Sequence, residues 1–288
     1  MGALKLTKVF NGNNWNIVEI ETTRELENFL SAPILQGRDN ASETGSKSFT
    51  GTASFEQADN LRRKGDKKSL AMLNEYKIKF DKYIQYNNGY KIKQRNDIHG
   101  FVPIVPNAII GLPLSMINQS REAKKVKGID IFYNVSIRCS TGTKDIARKG
   151  AIMLSLIDSL ERKGFRVNLK VGSVCMKGNT VHGVITTMKR YDEPLNIRKL
   201  AYYLVNPSCL RRTFFKLKES ISELTDVTND GYGTNNKFDK QRKRLKAIYG
   251  EQLRIVDSSI MENTDISDDE LFEKMCQVLG VESATVLS

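Results

Sequence analysis

The pattern of apolar and polar residues is most regular in the second half of the chain. Apolar and polar residues alternate along residues 165–174, and apolar residues recur on one helical face through 143–163. Alternation is typical of half-buried strands, and a period near 3.6 is typical of a helix packed on a core. With further strand-like runs at 129–136, 181–189 and 253–256, the pattern predicts four strands in one sheet and a long helix against it.

The remaining elements of this half complete an α/β arrangement. Helices are predicted at 195–204, 208–220 and 237–249, followed by an acidic helix at 267–279 that begins at a capping serine. Strands that alternate with helices predict a sheet covered by helices. The fold class is therefore α/β, with a sandwich core and an N-terminal α+β extension.

The first half is less regular. A hairpin is predicted over 9–20, a capping box opens a helix after Thr22, and a basic helix is predicted over 67–86. Residues 100–113 combine three prolines with apolar residues, which predicts a buried, extended connector that docks this half onto the core. We therefore expect two regions, an N-terminal α+β region at 1–118 and an α/β domain at 119–288.

Charge is distributed unevenly over the 288 residues. The chain has 45 Lys and Arg against 33 Asp and Glu, a net charge of +12. Residues 257–288 hold eight acids and one base, or −7, so the preceding 256 residues carry +19. Such a field favours nucleic acid or acidic protein partners. We expect the acidic tail to lie over the basic helix at 237–249 and to shield it from phosphate.

Two groups of basic residues are the candidate binding residues. Aromatic residues lie between several of the bases, a mixture that suits single-stranded nucleic acid, although a helix with an aromatic buried face and lysines at its rim gives the same spacing. The first group is Arg62, Arg63, Lys67, Lys68, Lys77, Lys79 and Lys82, and the second is Arg242, Lys243 and Arg244.

The order of elements from residue 129 resembles a von Willebrand A domain, which implies that the sandwich core is of the von Willebrand A or Rossmann-like type. The first strand of that family ends in an Asp-x-Ser-x-Ser metal motif, where this chain has Asn134, Ser136 and Arg138. Asp257 is the acid at the end of another predicted strand. Because Asn134 lacks a carboxylate charge and Arg138 brings a cation, the resemblance implies a degenerate site, and we expect no bound metal.

A second resemblance covers nearly the whole chain. Segments 48–58, 106–116, 157–169 and 192–195 resemble an uncharacterised family of proteins carried by tailed bacteriophages and prophages. This resemblance implies a phage origin and the cytoplasm of a bacterial host. It supplies no catalytic residues.

The sequence lacks the common enzyme motifs. It has no P-loop, and neither of its two histidines has a triad or metal spacing. We therefore expect no catalytic residues and no cofactor, and no membrane association. The predicted function is that of a non-enzymatic accessory factor that binds a host or phage protein complex. Inhibition of a host defence complex is one form that this binding could take. A nucleic-acid-binding accessory protein and an adaptor for an ATPase are the alternatives, and homo-oligomerisation is left open.

Overall fold

A six-stranded mixed sheet forms the centre of the protein. The computed structural model describes residues 8–12, 15–83, 90–123, 127–224, 238–261 and 266–281. The strands of the sheet are β1 (Lys8–Gly12), β2 (Trp15–Ile20), β6 (Gly128–Asn134), β7 (Arg166–Lys177), β8 (Thr180–Lys189) and β9 (Arg254–Val256), in the order β1-β2-β8-β7-β6-β9. A smaller sheet holds β3 (Tyr90–Asp97), β4 (Val102–Pro103) and β5 (Met116–Ala123), in the order β3-β5-β4.

Parallel and antiparallel pairing are mixed in the large sheet. Strand β6 pairs in parallel with both β7 and β9, whereas β7 and β8 form an antiparallel hairpin, and β2 lies parallel to β8. The predicted α/β class and the placing of the four predicted strands in one sheet are confirmed. The predicted hairpin over 9–20 is also confirmed as the antiparallel pair β1 and β2.

Helices cover both faces of this sheet. They are α1 (Thr23–Ser31), α2 (Ala41–Thr44), α3 (Lys47–Thr50), α4 (Phe55–Lys64), α5 (Lys67–Phe80), α6 (Val105–Ile109), α7 (Thr143–Arg162), α8 (Ile197–Val205), α9 (Phe215–Ser220), α10 (Phe238–Tyr249) and α11 (Asp268–Leu279). A π-helical segment, Cys209–Phe214, leads into α9. None of the described helices is long and apolar enough to cross a membrane.

The alternation along β6 separates two hydrophobic clusters. Ile131 and Tyr133 face the larger cluster, which contains α7, α8, α11 and the buried side of α5. Phe132, between them, faces the smaller cluster with Leu245 of α10. Successive strand residues point to opposite faces of a sheet. Residues 131–133 therefore contact helices on both sides of the sheet.

Local sequence sets the position of α7 and of the terminal helices. Gly150 lets α7 approach α8 closely, since a Cβ atom there would lie 1.8 Å from the carbonyl oxygen of Leu204. The predicted caps are present, because Thr22 and Ser267 each form a reciprocal capping box with the glutamate three residues later.

The segment predicted as a buried connector is exposed, which corrects that prediction. Residues 90–123 fold into the small sheet with α6 at its far end, and neither hydrophobic cluster includes any of them. We call residues 90–123 the arm, and residues 98–115 its tip. The predicted boundary at 118/119 falls inside β5, and the large sheet and its core draw on residues from both sides of it.

A buried arginine holds one of the motifs that carry the phage resemblance. Arg212 is fully buried in the π-helical segment. Its guanidinium donates to backbone carbonyl oxygens of residues 42, 43, 45, 52 and 53 at 2.6–3.2 Å. Carbonyl oxygens thus surround the two terminal nitrogens of a buried cation that has no carboxylate pair in the described contacts. Residues 42–53, which include the first part of the segment 48–58, accordingly lie around the guanidinium and are held by it.

Candidate functional site

The degenerate metal motif lies at the carboxyl end of β6, where Asn134 is fully buried. Its amide oxygen Oδ1 accepts from the backbone N–H groups of Ser136 at 3.0 Å and Val174 at 3.2 Å. Its amide nitrogen Nδ2 donates to the Val174 carbonyl at 2.9 Å and to Gln241 Oε1 at 3.1 Å. An asparagine amide has two donors and two acceptor lone pairs, so all four are used within the protein.

Asp257 follows β9 and is also fully buried. Arg242 of α10 donates Nε to Oδ2 at 2.8 Å and a terminal nitrogen to Oδ1 at 2.9 Å. Ser259 adds its backbone N–H at 3.0 Å and its hydroxyl at 2.6 Å, both to Oδ1. This bidentate arginine pair with two further donors leaves the carboxylate no need of a metal ion.

Two buried lysines supply positive charge beside these groups. Burial lowers the pKa of Lys149 to about 8, with Asp257 opposing the decrease. The Lys149 ammonium lies 4.8 Å from the centre of the Tyr133 ring and 3.5 Å from the Asn134 carbonyl oxygen. Burial also lowers the pKa of Lys218, whose Nζ donates to Ser173 Oγ at 2.8 Å.

The serines complete this network. Ser136 Oγ and Ser173 Oγ lie 3.0 Å apart, so the hydroxyl that Lys218 contacts is linked to the motif serine. A serine beside a lysine of lowered pKa can act as a nucleophile. Here Ser173 and Lys218 are both fully buried, so a substrate cannot reach them without opening the fold. We call Asn134, Ser136, Ser173, Lys149, Lys218, Gln241, Arg242 and Asp257 the strand-end network.

Arg138 does not supply the positive charge beside the motif, contrary to expectation. Its side chain is exposed, and the cations beside the motif are Lys149, Lys218 and Arg242. Among the described residues, no group of three His, Cys, Asp or Glu side chains has the arrangement of a metal site. The network therefore has its own cations at the position where the resemblance would place a divalent ion. Its side chains also connect α7, α9 and α10 to the carboxyl end of β6.

Half of the candidate basic residues are occupied in ion pairs. Arg62 and Arg63 pair with Glu27 and Asp59. Lys77 pairs with Asp158 at 2.8 Å, Lys79 with Asp268 and Asp269, and Arg242 with Asp257. Lys67, Lys68 and Lys243 are exposed, Arg244 is partly exposed, and the side chain of Lys82 lies outside the described residues.

The two basic groups lie on opposite sides of the large sheet. Leu73 of α5 belongs to the larger hydrophobic cluster, and Leu245 of α10 to the smaller one. The acidic helix α11 also differs from expectation, because Asp268 pairs with Lys79 and Arg148 rather than with α10. The described basic residues therefore form no single groove across α5 and α10.

The most exposed apolar surface is the arm tip. Ile109 and Ile110 are 78% and 70% exposed. The tip also exposes Ile98, Phe101, Val102, Val105, Leu112 and Leu114, so eight of its large apolar side chains face solvent. An exposed apolar patch of this kind is a candidate interaction site.

We call residues 90–97 and 116–123 the stem of the arm. The sequence of the stem is basic, in contrast to that of the tip. The tip contains no Asp, Glu, Lys or Arg, whereas the stem carries Lys91, Lys93, Arg95 and Arg121 against Asp97 and Glu122. Strand β3 pairs with β5 and is the edge strand of the small sheet, so a row of backbone groups lies along its other side. The arm thus combines an apolar end, a positive base and an open strand edge.

Sequence reasoning missed Lys149, for which a signal was present, and the exposure of the arm, for which there was none. Lys149 lies three residues after Ile146 and four before Met153, on the apolar face of α7. Residues 98–115 contain no Asp, Glu, Lys or Arg and are rich in proline and apolar residues. Neither feature predicts that the segment is exposed.

Comparison with known proteins identifies a family without a described activity. Comparison with curated proteins and with solved structures finds no match. A family model described as a domain of unknown function, DUF7192, matches residues 10–283. Because that match covers most of the chain, the protein belongs to the DUF7192 family.

Proposed function

We propose that the protein is a non-enzymatic accessory factor that binds a protein complex through its arm. The observation that carries this proposal is the set of eight exposed apolar side chains on a tip that contributes nothing to either hydrophobic cluster. Burial of one such side chain is worth about 1.5–3 kcal/mol. Since the described residues bury little of these side chains, a partner that covers the tip would gain this free energy.

The partner is a protein with an apolar groove bordered by carboxylates. Apolar walls would bury Phe101, Ile109 and Ile110, while acidic residues at the rim would face the basic stem. A protein suits the arm better than a membrane does, because a partner strand can pair with the open edge of β3, whereas hydrocarbon cannot. Phosphate is a poor match for a tip that contains no Lys or Arg.

The proposed setting is the cytoplasm of a phage-infected bacterium, with the complex coming from the host or the phage. This setting rests on the resemblance of segments such as 48–58 and 106–116 to tailed-phage proteins. Occupation of a host defence complex, which would inhibit it, is one form that such binding could take. The nucleic-acid alternative is weakened by the separation of the two basic groups onto opposite sides of the sheet.

The test compares three full-length chains purified by affinity tag from infected cells. They are the unaltered chain, the double variant Ile109→Asp and Ile110→Asp, and the control Ile78→Asp. Ile78 is 80% exposed on α5, so it matches the exposure of the tip residues at a site away from the arm. We expect a partner that survives nuclease treatment to be retained by the control and lost from the double variant. A partner retained by both, or removed by nuclease, would contradict the proposal.

A further inference from the structure

A cavity of about 430 Å³ opens between α1, α4 and the first turn of α8. We call it the α8 cavity. Its volume lies within the range of small-molecule sites, about 300–1,000 Å³. The lining residues are Thr23, Glu27, Arg62, Arg63, Gly65, Asn196, Arg198, Lys199 and Tyr203.

The lining is dominated by positive charge. It contains four cationic side chains and one carboxylate, Glu27, which is already shared between Arg62 and Arg63. Arg198 donates from Nε to the backbone carbonyl oxygen of Lys64 at 3.0 Å. Among the described residues, no carboxylate forms an ion pair with Arg198 or Lys199. Two cations thus face the cavity without an anionic partner.

The position of these cations on α8 is unfavourable unless an anion is present. They occupy the first turn of the helix, which contains no acidic residue. The amino end of a helix carries partial positive charge, so it stabilises anions and destabilises cations. Burial lowers the pKa of Lys199; Glu193 opposes this effect, and Arg62 adds to it. An anion in the cavity would relieve both costs.

An unsatisfied hydroxyl points to the same ligand. Tyr203 lines the cavity and is 1% exposed, and none of the described residues accepts the proton of its hydroxyl. Arg62 can donate to the hydroxyl oxygen and attract it electrostatically, but a guanidinium has no acceptor for the phenolic proton. A buried donor without an acceptor is unfavourable. A ligand oxygen would accept that proton.

We infer that the α8 cavity binds the phosphate group of a small phosphorylated compound, held by Lys199, Arg198 and the Tyr203 hydroxyl. A phosphate monoester carries close to two negative charges at pH 7 and three strong acceptor oxygens, which match two unpaired cations and one unpaired hydroxyl donor. The cavity is larger than phosphate alone, which leaves space for the group that the phosphate esterifies. This site is separate from the arm, so it can fail without affecting the proposed function.

Calorimetry on the full-length protein tests this inference with three probes: inorganic phosphate, adenosine 5′-monophosphate and adenosine. We expect saturable binding of both phosphate-bearing probes and none of adenosine. Tighter binding of the monophosphate would assign an ester as the ligand, and equal binding would assign free phosphate. Lys199→Gln should weaken binding about tenfold or more, and Tyr203→Phe several-fold. Lys144→Gln, at an exposed lysine of α7, is the control and should change nothing.

Circular dichroism and thermal unfolding will verify that each variant keeps its fold. Because Lys199 is partly exposed, we expect the Lys199→Gln chain to fold, so that a loss of affinity reports on the ligand contact. The inference would be overturned if neither inorganic phosphate nor adenosine 5′-monophosphate bound at 10 mM, a concentration that corresponds to an affinity of about 2.7 kcal/mol. It would also be overturned if Lys199→Gln bound the probes as tightly as the unaltered chain does. Tighter binding of a single-stranded oligonucleotide with a steep salt dependence would overturn it too, since it would assign the cavity to nucleic acid.

Discussion

Replacement of Lys149 by methionine should stabilise the protein at neutral pH. The ammonium is fully buried, and burial lowers its pKa from 10.5 to about 8, the attraction of Asp257 only partly offsetting the cost. That difference corresponds to about 3 kcal/mol of disfavoured charge in the folded state. Methionine has a similar length and no charge, and Asp257 keeps its two bonds from Arg242. Lys149→Met should therefore raise the free energy of unfolding at pH 7 by about 3 kcal/mol.

The pH dependence identifies the cause. Below about pH 8, Lys149 is protonated in the folded and the unfolded chain, so the cost is fully present. Between about 8 and 10.5 the folded chain has released this proton while the unfolded chain retains it, so stability rises with pH. The unaltered chain should thus approach the stability of Lys149→Met as the pH nears 10.

Urea unfolding at several pH values between 7 and 10 measures this effect. The difference between the unaltered chain and Lys149→Met isolates one lysine from the others that titrate in the same range. Lys144→Met, at an exposed position of the same helix, is the matched control and should follow the unaltered chain. A Lys149→Met protein that is less stable at pH 7 would refute the reasoning, since Lys149 would then be a required counterion of Asp257. Parallel pH profiles would refute it equally.

Three further substitutions test the packing of the fold, the first two by urea unfolding and the third by limited proteolysis. Arg242→Met leaves Asp257 buried without its cation and should cost about 3–5 kcal/mol, unlike Lys243→Met at the neighbouring exposed position. Gly150→Ala should cost about 3 kcal/mol or prevent folding, because the new Cβ meets the α8 backbone, and a loss below about 1 kcal/mol would mean that the helices can separate cheaply. Arg212→Met should expose segment 41–53 to protease, and continued resistance would show that the carbonyl contacts are dispensable.

The sequence predicted the parts of the fold that have a clear local composition. The strands at 129–136 and 181–189 were placed to within two residues at each end, because both runs are rich in β-branched and apolar residues and are bounded by polar or glycine-containing turns. The α-helix predicted over 67–86 ends at Phe80 and continues as a single 3₁₀ turn, Asp81–Tyr83, and the last part of the prediction, 84–86, lies outside the described residues. Its loosely periodic apolar residues gave no clear end.

The sequence does not show which residues or molecules the apolar segments and the charged side chains contact. Residues 100–113 are apolar enough to need burial, but composition does not say whether the burial is within the chain or against another molecule. Likewise, Arg242 was expected to be a surface contact and is instead the partner of Asp257, fifteen residues away and on another element. Long-range pairing of this kind depends on tertiary structure, which periodicity does not encode.

Site-specific photo-crosslinking tests the central claim most directly, because it asks what the arm tip touches in the intact protein. A benzophenone amino acid would replace Phe101 on the tip in one chain and exposed Ile78 on α5 in the other, and both would be irradiated in infected cells. We predict a nuclease-resistant cross-link to one protein species from position 101 and none from position 78. Absence of a protein cross-link at 101, or the same adducts from both positions, would contradict the assignment of the arm as the docking element.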